Sequence, residues 1–197
     1  MKRLVVGIAG ASGVIYGIRL LQVLREVEDV QTHLVVSTAA AQTIGLETDF
    51  SPAEVKALAD VVYRFGDIAA AIASGSFRTT GMVVVPCSMT ALAGIAHSYS
   101  DNLLLRAADV ILKDRRRLVL VPRETPLHPG HLRLLLEVEE MRAIVAPPMP
   151  AFYHRPQTID DIINQTVNRV LDLFSIELPV DLFQRWRGAK ATLESQS

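Results

Sequence analysis

Four short segments hold the residues whose types and spacing could do chemistry. Gly7-Ile-Ala-Gly10-Ala11-Ser12-Gly13 is a glycine turn with one hydroxyl. Pro86-Cys87-Ser88-Met89-Thr90 is a second hydroxyl-bearing turn, and Pro122-Arg123-Glu124-Thr125-Pro126 sets a cation beside a carboxylate. Phe152-Tyr153-His154-Arg155-Pro156 is an aromatic stretch between prolines. Small residues let backbone N–H groups and the Ser12 hydroxyl approach an anion at a helix N-terminus, although a purely structural tight turn would use the same residues. The spacing G-x-x-G-x-x-G is neither the dinucleotide fingerprint nor a phosphate loop ending in Gly-Lys-Ser/Thr. Ser37 stands where an acid would meet a ribose, which argues further against NAD. An Arg and a Glu at the end of an apolar strand are costly to bury unless paired or used. Arg123 and Glu124 are therefore either cleft residues or a rim salt bridge worth about 1 kcal/mol or less. The aromatic stretch reads as the edge of a lid or as a structural proline turn.

Other polar features carry less. Cys87 is the single cysteine, which excludes an intrachain disulfide and a cysteine zinc cluster; with no His beside it in sequence, it reads as a small buried thiol. His128 and His131 lie three apart without a third ligand and read as a structural or surface pair; His33 and His97 read as ordinary fold residues. Asp160-Asp161 suits the first turn of a helix, and Lys113-Asp-Arg-Arg-Arg117 a solvated helix end.

These segments need elements to position them. Leu4–Ile8, His33–Ser37, Met82–Pro86, Leu118–Val121 and Ala143–Ala146 are apolar, β-rich runs that predict five buried strands. Between them, helical spacing predicts helices over Val14–Val27, Thr38–Glu47, Ala53–Val62, Met89–Ala96, Asn102–Asp114 and about His131–Met141, with a last one over Ile159–Phe174 opened by Thr158. Apolar strands alternating with amphipathic helices imply a parallel sheet covered on both faces. Ligands on such sheets bind beyond the strands' C-terminal ends, which is where the chemical segments fall.

The 197 residues suffice for one domain, expected over 1–188, with a polar tail over 189–197. Half the residues are hydrophobic, so some apolar surface is expected to hide in a homo-oligomer. A net charge of −1 gives no electrostatic case for nucleic acid or an anionic membrane. Lys2-Arg3 and the apolar stretch to Ile18 superficially resemble an export signal, but glycines interrupt the run, and it reads as a buried strand entering a turn. A cytoplasmic protein without membrane insertion is expected.

Taken together, Gly10-Ala-Ser-Gly13, Pro86-Cys-Ser88, Arg106-Ala-Ala-Asp109 with Lys113, Val121-Pro-Arg-Glu124 and Pro148-Met-Pro-Ala-Phe-Tyr153 resemble the UbiX-type flavin prenyltransferases, once described as 3-octaprenyl-4-hydroxybenzoate carboxy-lyases. The resemblance runs from Met1 to about Gly188. It implies an α/β, three-layer flavodoxin-like Rossmann fold with a central parallel sheet, binding reduced FMN and dimethylallyl phosphate. The family joins the five-carbon unit to flavin N5 and C6, releases phosphate, and supplies prenylated FMN to a UbiD-type decarboxylase, here in ubiquinone biosynthesis. It forms dodecamers with sites between subunits, and no metal is expected.

Carried over by resemblance, Gly10, Ala11, Ser12, Ser37, Ser88, Met89, Thr90, Ala91 and Arg123 match FMN-contacting positions. Tyr153 and Arg169 match positions at the dimethylallyl phosphate; Glu47, Arg106, Lys113 and Glu124 match the charged set around the reaction centre, and Trp186 an aromatic near it. The residue types suit the reaction. Phosphate is a poor leaving group, so Lys113, Arg106 and Arg169 would stabilise charge developing on its oxygens. Glu47 or Glu124 would move a proton, and Ser12 would orient the flavin or relay one. Tyr153 and Trp186 would shield an allylic cation. Two rivals share the glycine and serine turns. An FMN-dependent cysteine-peptide decarboxylase would carry Pro-x-Met-Asn where this chain reads Pro147-Pro-Met-Pro150, and a non-catalytic flavin carrier would not need the cations and Tyr153 together. A direct aromatic-acid decarboxylase is the older alternative.

Overall fold

A computed structural model describes residues 1–188, and the expected tail 189–197 lies outside the described residues. The chain divides into two compact units, Met1–Pro148 and a second that begins at Met149.

The first unit is built on six parallel strands: β1 (Lys2–Ile8), β2 (Val30–Val36), β3 (Val61–Tyr63), β4 (Gly81–Cys87), β5 (Arg117–Pro122) and β6 (Ile144–Val145). Their order is β3-β2-β1-β4-β5-β6. With the three-residue edge strand β3 set aside, the remaining five follow the flavodoxin-like order, and the order reverses between β1 and β4, the switch point where such sheets bind ligands. The helices are α1 (Val14–Leu24), α2 (Thr38–Glu47), α3 (Pro52–Lys56), α4 (Met89–Ala96), α5 (Leu103–Lys113) and α6 (Pro129–Glu140). The α1 and α2 helices pack together on one face of the sheet, and α4, α5 and α6 on the other, giving three layers.

Side chains alternate across each strand. Val5, Val35, Met82, Val84, Leu118 and Leu120 join Leu92, Leu103, Leu104 and Ile111 in one core cluster. Burying each large aliphatic contributes roughly 1.5–3 kcal/mol. The stretch that superficially resembled an export signal is thus the buried strand β1, paired on both sides. Among the described residues no helix is long and apolar enough to cross a membrane. Leu46, Leu132 and Leu136 are large apolar side chains left exposed.

One expected helix, Ala53–Val62, is not formed as such. The capping box of Ser51 and Glu54 starts α3, which ends at Lys56, and Val61–Tyr63 instead adds β3 to the edge of β2. Val61 and Val62 satisfied a helical spacing by coincidence; β-branched residues beside an open strand edge gain more as a ladder.

His33 on β2 is 3% exposed, a buried residue of the fold. Its Nδ1 lies 3.0 Å from Tyr63 Oη and its Nε2 3.3 Å from Gln31 Oε1, with Phe77 edge-on to the ring. Burial, then the charge of Arg3, lowers its pKa, against a smaller opposing pull from Asp60. The folded state therefore favours neutral imidazole. Its contribution is complete above the ordinary pKa of about 6.5 and is lost as pH falls through the lower folded value. Between about pH 7.5 and about pH 5.5 the apparent Tm of the natural chain should fall further than that of His33→Gln. Parallel loss in thermal melts of both proteins would remove His33 as the cause.

In the second unit, α7 (Ile159–Leu173) opens as expected: Thr158 Oγ1 accepts the Asp161 N–H, and Asp161 accepts from the Thr158 backbone. The backbone N–H of Gln157, and after it that of Thr158, donate to the Asp161 carboxylate and hold it below its usual range.

Candidate active site

A cavity of about 330 Å³ opens at the C-terminal ends of β1, β2 and β4. Gly10, Ser37, Ser88, Thr90 and Ala91 line it together, five of the expected cofactor positions. Ser37 caps α2 by accepting the Ala40 N–H at 3.0 Å, and Ser88 caps α4 by accepting the Ala91 N–H at 3.2 Å. Each cap is worth about 1 kcal/mol. Both hydroxyl protons remain available to a ligand, and both positive helix ends face the same hollow. Gly10 permits this closeness, because a Cβ there would stand 2.4 Å from Ala39 Cβ on the first turn of α2. Phe65, Leu104 and Leu105 make an apolar wall. The size falls within the range of roughly 300–1,000 Å³ usual for cofactor pockets. A ring system against Leu and Phe with a phosphate toward capped helix ends fits this lining.

The next turn brings two expected catalytic residues into one neighbourhood. Gly13, left-handed at φ 92°, is the N-cap of α1, and its N–H donates to Glu47 Oε2 at 2.8 Å. Glu47, the last residue of α2, is thereby tied to the residue following Ser12. Ala11, Ser12, Met89 and Arg123 do not line the cavity; Met89 packs against the core instead. Arg123 and Glu124 are both exposed, and the rim salt bridge is not formed: Glu124 Oε1 accepts the Thr125 N–H at 2.9 Å.

Arg106 and Lys113 lie elsewhere. Arg106 pairs with Asp109 at 2.7 Å and donates from Nε to the Ala73 carbonyl at 3.2 Å. Lys113 sits 3.4 Å from Asp114. The cavity touches the start of α5 at Leu104 and Leu105; Lys113 ends that helix, about 12 Å further along its axis. The basic run is not wholly solvated either, because Arg116 binds the carbonyls of Gly75 and Phe77 as well as Asp114.

In the second unit, Tyr153 lies edge-on to Trp186 and Phe183, with ring centroids 6.1 and 6.4 Å apart. Tyr153 is 44% and Trp186 57% exposed, leaving ring surface open. Arg169 donates to Asp172 Oδ2 at 2.8 Å. Both ring nitrogens of His154 are buried without a hydrogen-bond partner.

Cys87 is fully buried and its thiol is pushed up to about 12 by desolvation, as a structural thiol requires. His128 caps α6 and lies against His131, with ring centroids 3.7 Å apart and planes tilted by 33°. Sequence reasoning missed Ala9, Thr38, Ala39, Phe65, Asn102, Leu104 and Leu105 of the cavity lining. Phe65 lies just past a strand, but helical spacing over Ala53–Val62 masks the first two residues of that strand.

A doubly wound parallel sheet with paired, capped helix ends at its switch point defines a nucleotide- or flavin-binding protein. The sequence model of the Flavoprotein family matches residues 1–171. Flavin prenyltransferase UbiX of Escherichia coli K12 is 68% identical over 189 residues, covering 96% of this chain and all of that protein. A dodecameric FMN-dependent UbiX-like decarboxylase from Escherichia coli O157:H7 superposes with TM-score 0.91 at 53% identity, over 95% of this chain and 100% of that one. AnUbiX in complex with FMN and dimethylallyl pyrophosphate gives TM-score 0.90 at 51% identity, over 95% and 98%. This chain belongs to the UbiX flavin prenyltransferases within the Flavoprotein family. The rival peptidyl-cysteine decarboxylase EpiD, at 16% identity and TM-score 0.62, shares the fold alone.

Proposed function

We propose that this chain transfers the dimethylallyl group of dimethylallyl phosphate to N5 and C6 of reduced FMN, releasing phosphate. The observation that carries the reading is the likeness to AnUbiX with its two bound ligands, at TM-score 0.90. The cavity of Gly10, Ser37, Ser88, Thr90 and Ala91 supports it from this chain's own geometry. Reduced FMN supplies the electron-rich ring that accepts the prenyl group.

Residues 1–188 act as one FMN-binding domain. Gly10, Ser37, Ser88, Thr90 and Ala91 hold the cofactor, with Ala11, Ser12, Met89 and Arg123 at its margin. Glu47 and Ser12 manage the proton at the glycine turn, and Glu124 stands at the end of β5. Tyr153 and Trp186 wall the allylic group, and Arg169 binds the phosphate. Arg106 and Lys113, which lie off their own chain's cavity, serve the site of a neighbouring copy. The assembly is a dodecamer, which covers Leu46, Leu132 and Leu136, and its dodecameric relative supports that reading. The product goes to a UbiD-type decarboxylase in ubiquinone biosynthesis, in the cytoplasm.

The test is anaerobic phosphate release. Purified protein with dithionite-reduced FMN and dimethylallyl phosphate should release phosphate, and omission of the flavin should abolish the release. Release independent of flavin, or none at all, would sink the transferase reading.

A further inference from the structure

The phosphate-binding assignment of Arg169 leaves open what holds that side chain, and the second unit answers with a hub at Asp172. Arg169 Nη1 donates to Asp172 Oδ2 at 2.8 Å. The same carboxylate accepts Arg185 in a fork, Nη1 on Oδ2 and Nη2 on Oδ1, each at 2.8 Å. Arg185 reaches on to Asp181 through Nε and Nη2, both at 2.7 Å. Beside them, Asn168 is 1% exposed; its Nδ2 donates to Asp172 Oδ1 at 3.3 Å and its Oδ1 accepts the Leu182 N–H at 2.8 Å. The segment Asp181–Arg185 forms neither helix nor strand, yet it is fixed to α7 at these two points. Bidentate, charge-assisted pairs are among the stronger hydrogen bonds, and the Arg185 fork is the foremost cause holding the Asp172 carboxyl below its usual range.

The residue after Arg185 is Trp186, whose ring meets Tyr153 edge-on at 6.1 Å. We infer that Arg185 is a positioning residue for the allylic-phosphate half of the site. Through Asp172 it orients Arg169, and through its own backbone it keeps Trp186 against Tyr153. This rests on the prenyltransferase reading of Arg169. Charge balance acts in the same direction. Arg169 and Arg185 neutralise Asp172 and Asp181; without Arg185 the group carries a net negative charge, Asp172 competes for all of Arg169, and an incoming phosphate is repelled.

The test uses the full chain with Arg185→Gln, Arg185→Lys, Arg169→Gln and the double variant Arg169→Gln/Arg185→Gln, reading KM for dimethylallyl phosphate, kcat and FMN affinity. Arg185→Gln should raise KM about tenfold, the size of one lost charged hydrogen bond, with FMN affinity within about twofold of the natural chain. Arg185→Lys, which retains charge without the fork, should fall between, and it keeps the test valid if the Gln variant folds poorly. In the Arg169→Gln background, Arg185→Gln should add less than about twofold in KM. A raised KM in Arg169→Gln with an unchanged KM in both Arg185 variants would overturn the inference, as would full additivity in the double variant. An unchanged KM in Arg169→Gln would instead overturn the phosphate assignment beneath it.

Discussion

Lys113→Met should lower turnover with dimethylallyl phosphate by about 10²–10³-fold, while FMN affinity stays within about twofold of the natural chain. The combination follows from where Lys113 sits. It closes α5, paired with Asp114, while only the first turn of that helix reaches the cavity. Its removal therefore leaves the FMN cradle intact. A cation facing the leaving phosphate acts mainly on charge that develops in the transition state, so the loss should appear in kcat more than in binding. If it serves a neighbouring copy, two dead variants should rescue each other. Gly10→Val places a side chain against Ala39 on the first turn of α2, so that the cavity wall of its own subunit must shift. Its Lys113 is intact. Mixed oligomers of Lys113→Met and Gly10→Val subunits should therefore regain activity that neither homo-oligomer shows. Inactive hybrids, with mixing confirmed, would place Lys113 in its own subunit's site or outside the reaction.

The second large effect concerns the glutamates. Glu47→Gln should reduce turnover by about 10²–10⁴-fold, the usual range for loss of a positioned proton-transfer group. The substitution is a clean one. Glu47 accepts the Gly13 N–H through Oε2, a bond that an amide oxygen preserves, so the glycine turn keeps its shape while the ability to exchange a proton is lost. Glu124→Gln likewise preserves the bond to the Thr125 N–H. Glu47 is expected to give the larger loss, because it is tied beside Ser12. Full turnover in both variants would show that neither carboxyl is the acid or base.

Much of the architecture was legible because apolar strands and amphipathic helices differ in period. Thr38–Glu47 and Met89–Ala96 form over the residues that their spacing predicts, each opened by the serine that also lines the cavity. The misread element, Val61–Tyr63, is short, and only the edge of β2 decides it. The site was legible where chemistry follows directly on a strand, as at Gly10, Ser37 and Ser88. It was not legible where the lining is ordinary: Phe65, Leu104 and Leu105 have the sequence character of core residues. Nor does a sequence distinguish a cation that serves its own cavity from one carried about 12 Å along a helix. Lys113 belongs to that class, whereas Arg106 directly follows cavity-lining Leu105 and is held by Asp109 and the Ala73 carbonyl.

The most direct measurement of the central claim is the mass of the flavin extracted after anaerobic incubation of the protein with dithionite-reduced FMN and dimethylallyl phosphate. The account predicts a flavin heavier by one five-carbon unit, formed in step with free phosphate. Recovery of bound but unmodified FMN, under conditions in which the protein is folded and loaded, would contradict it and leave a flavin carrier or a redox flavoprotein in its place.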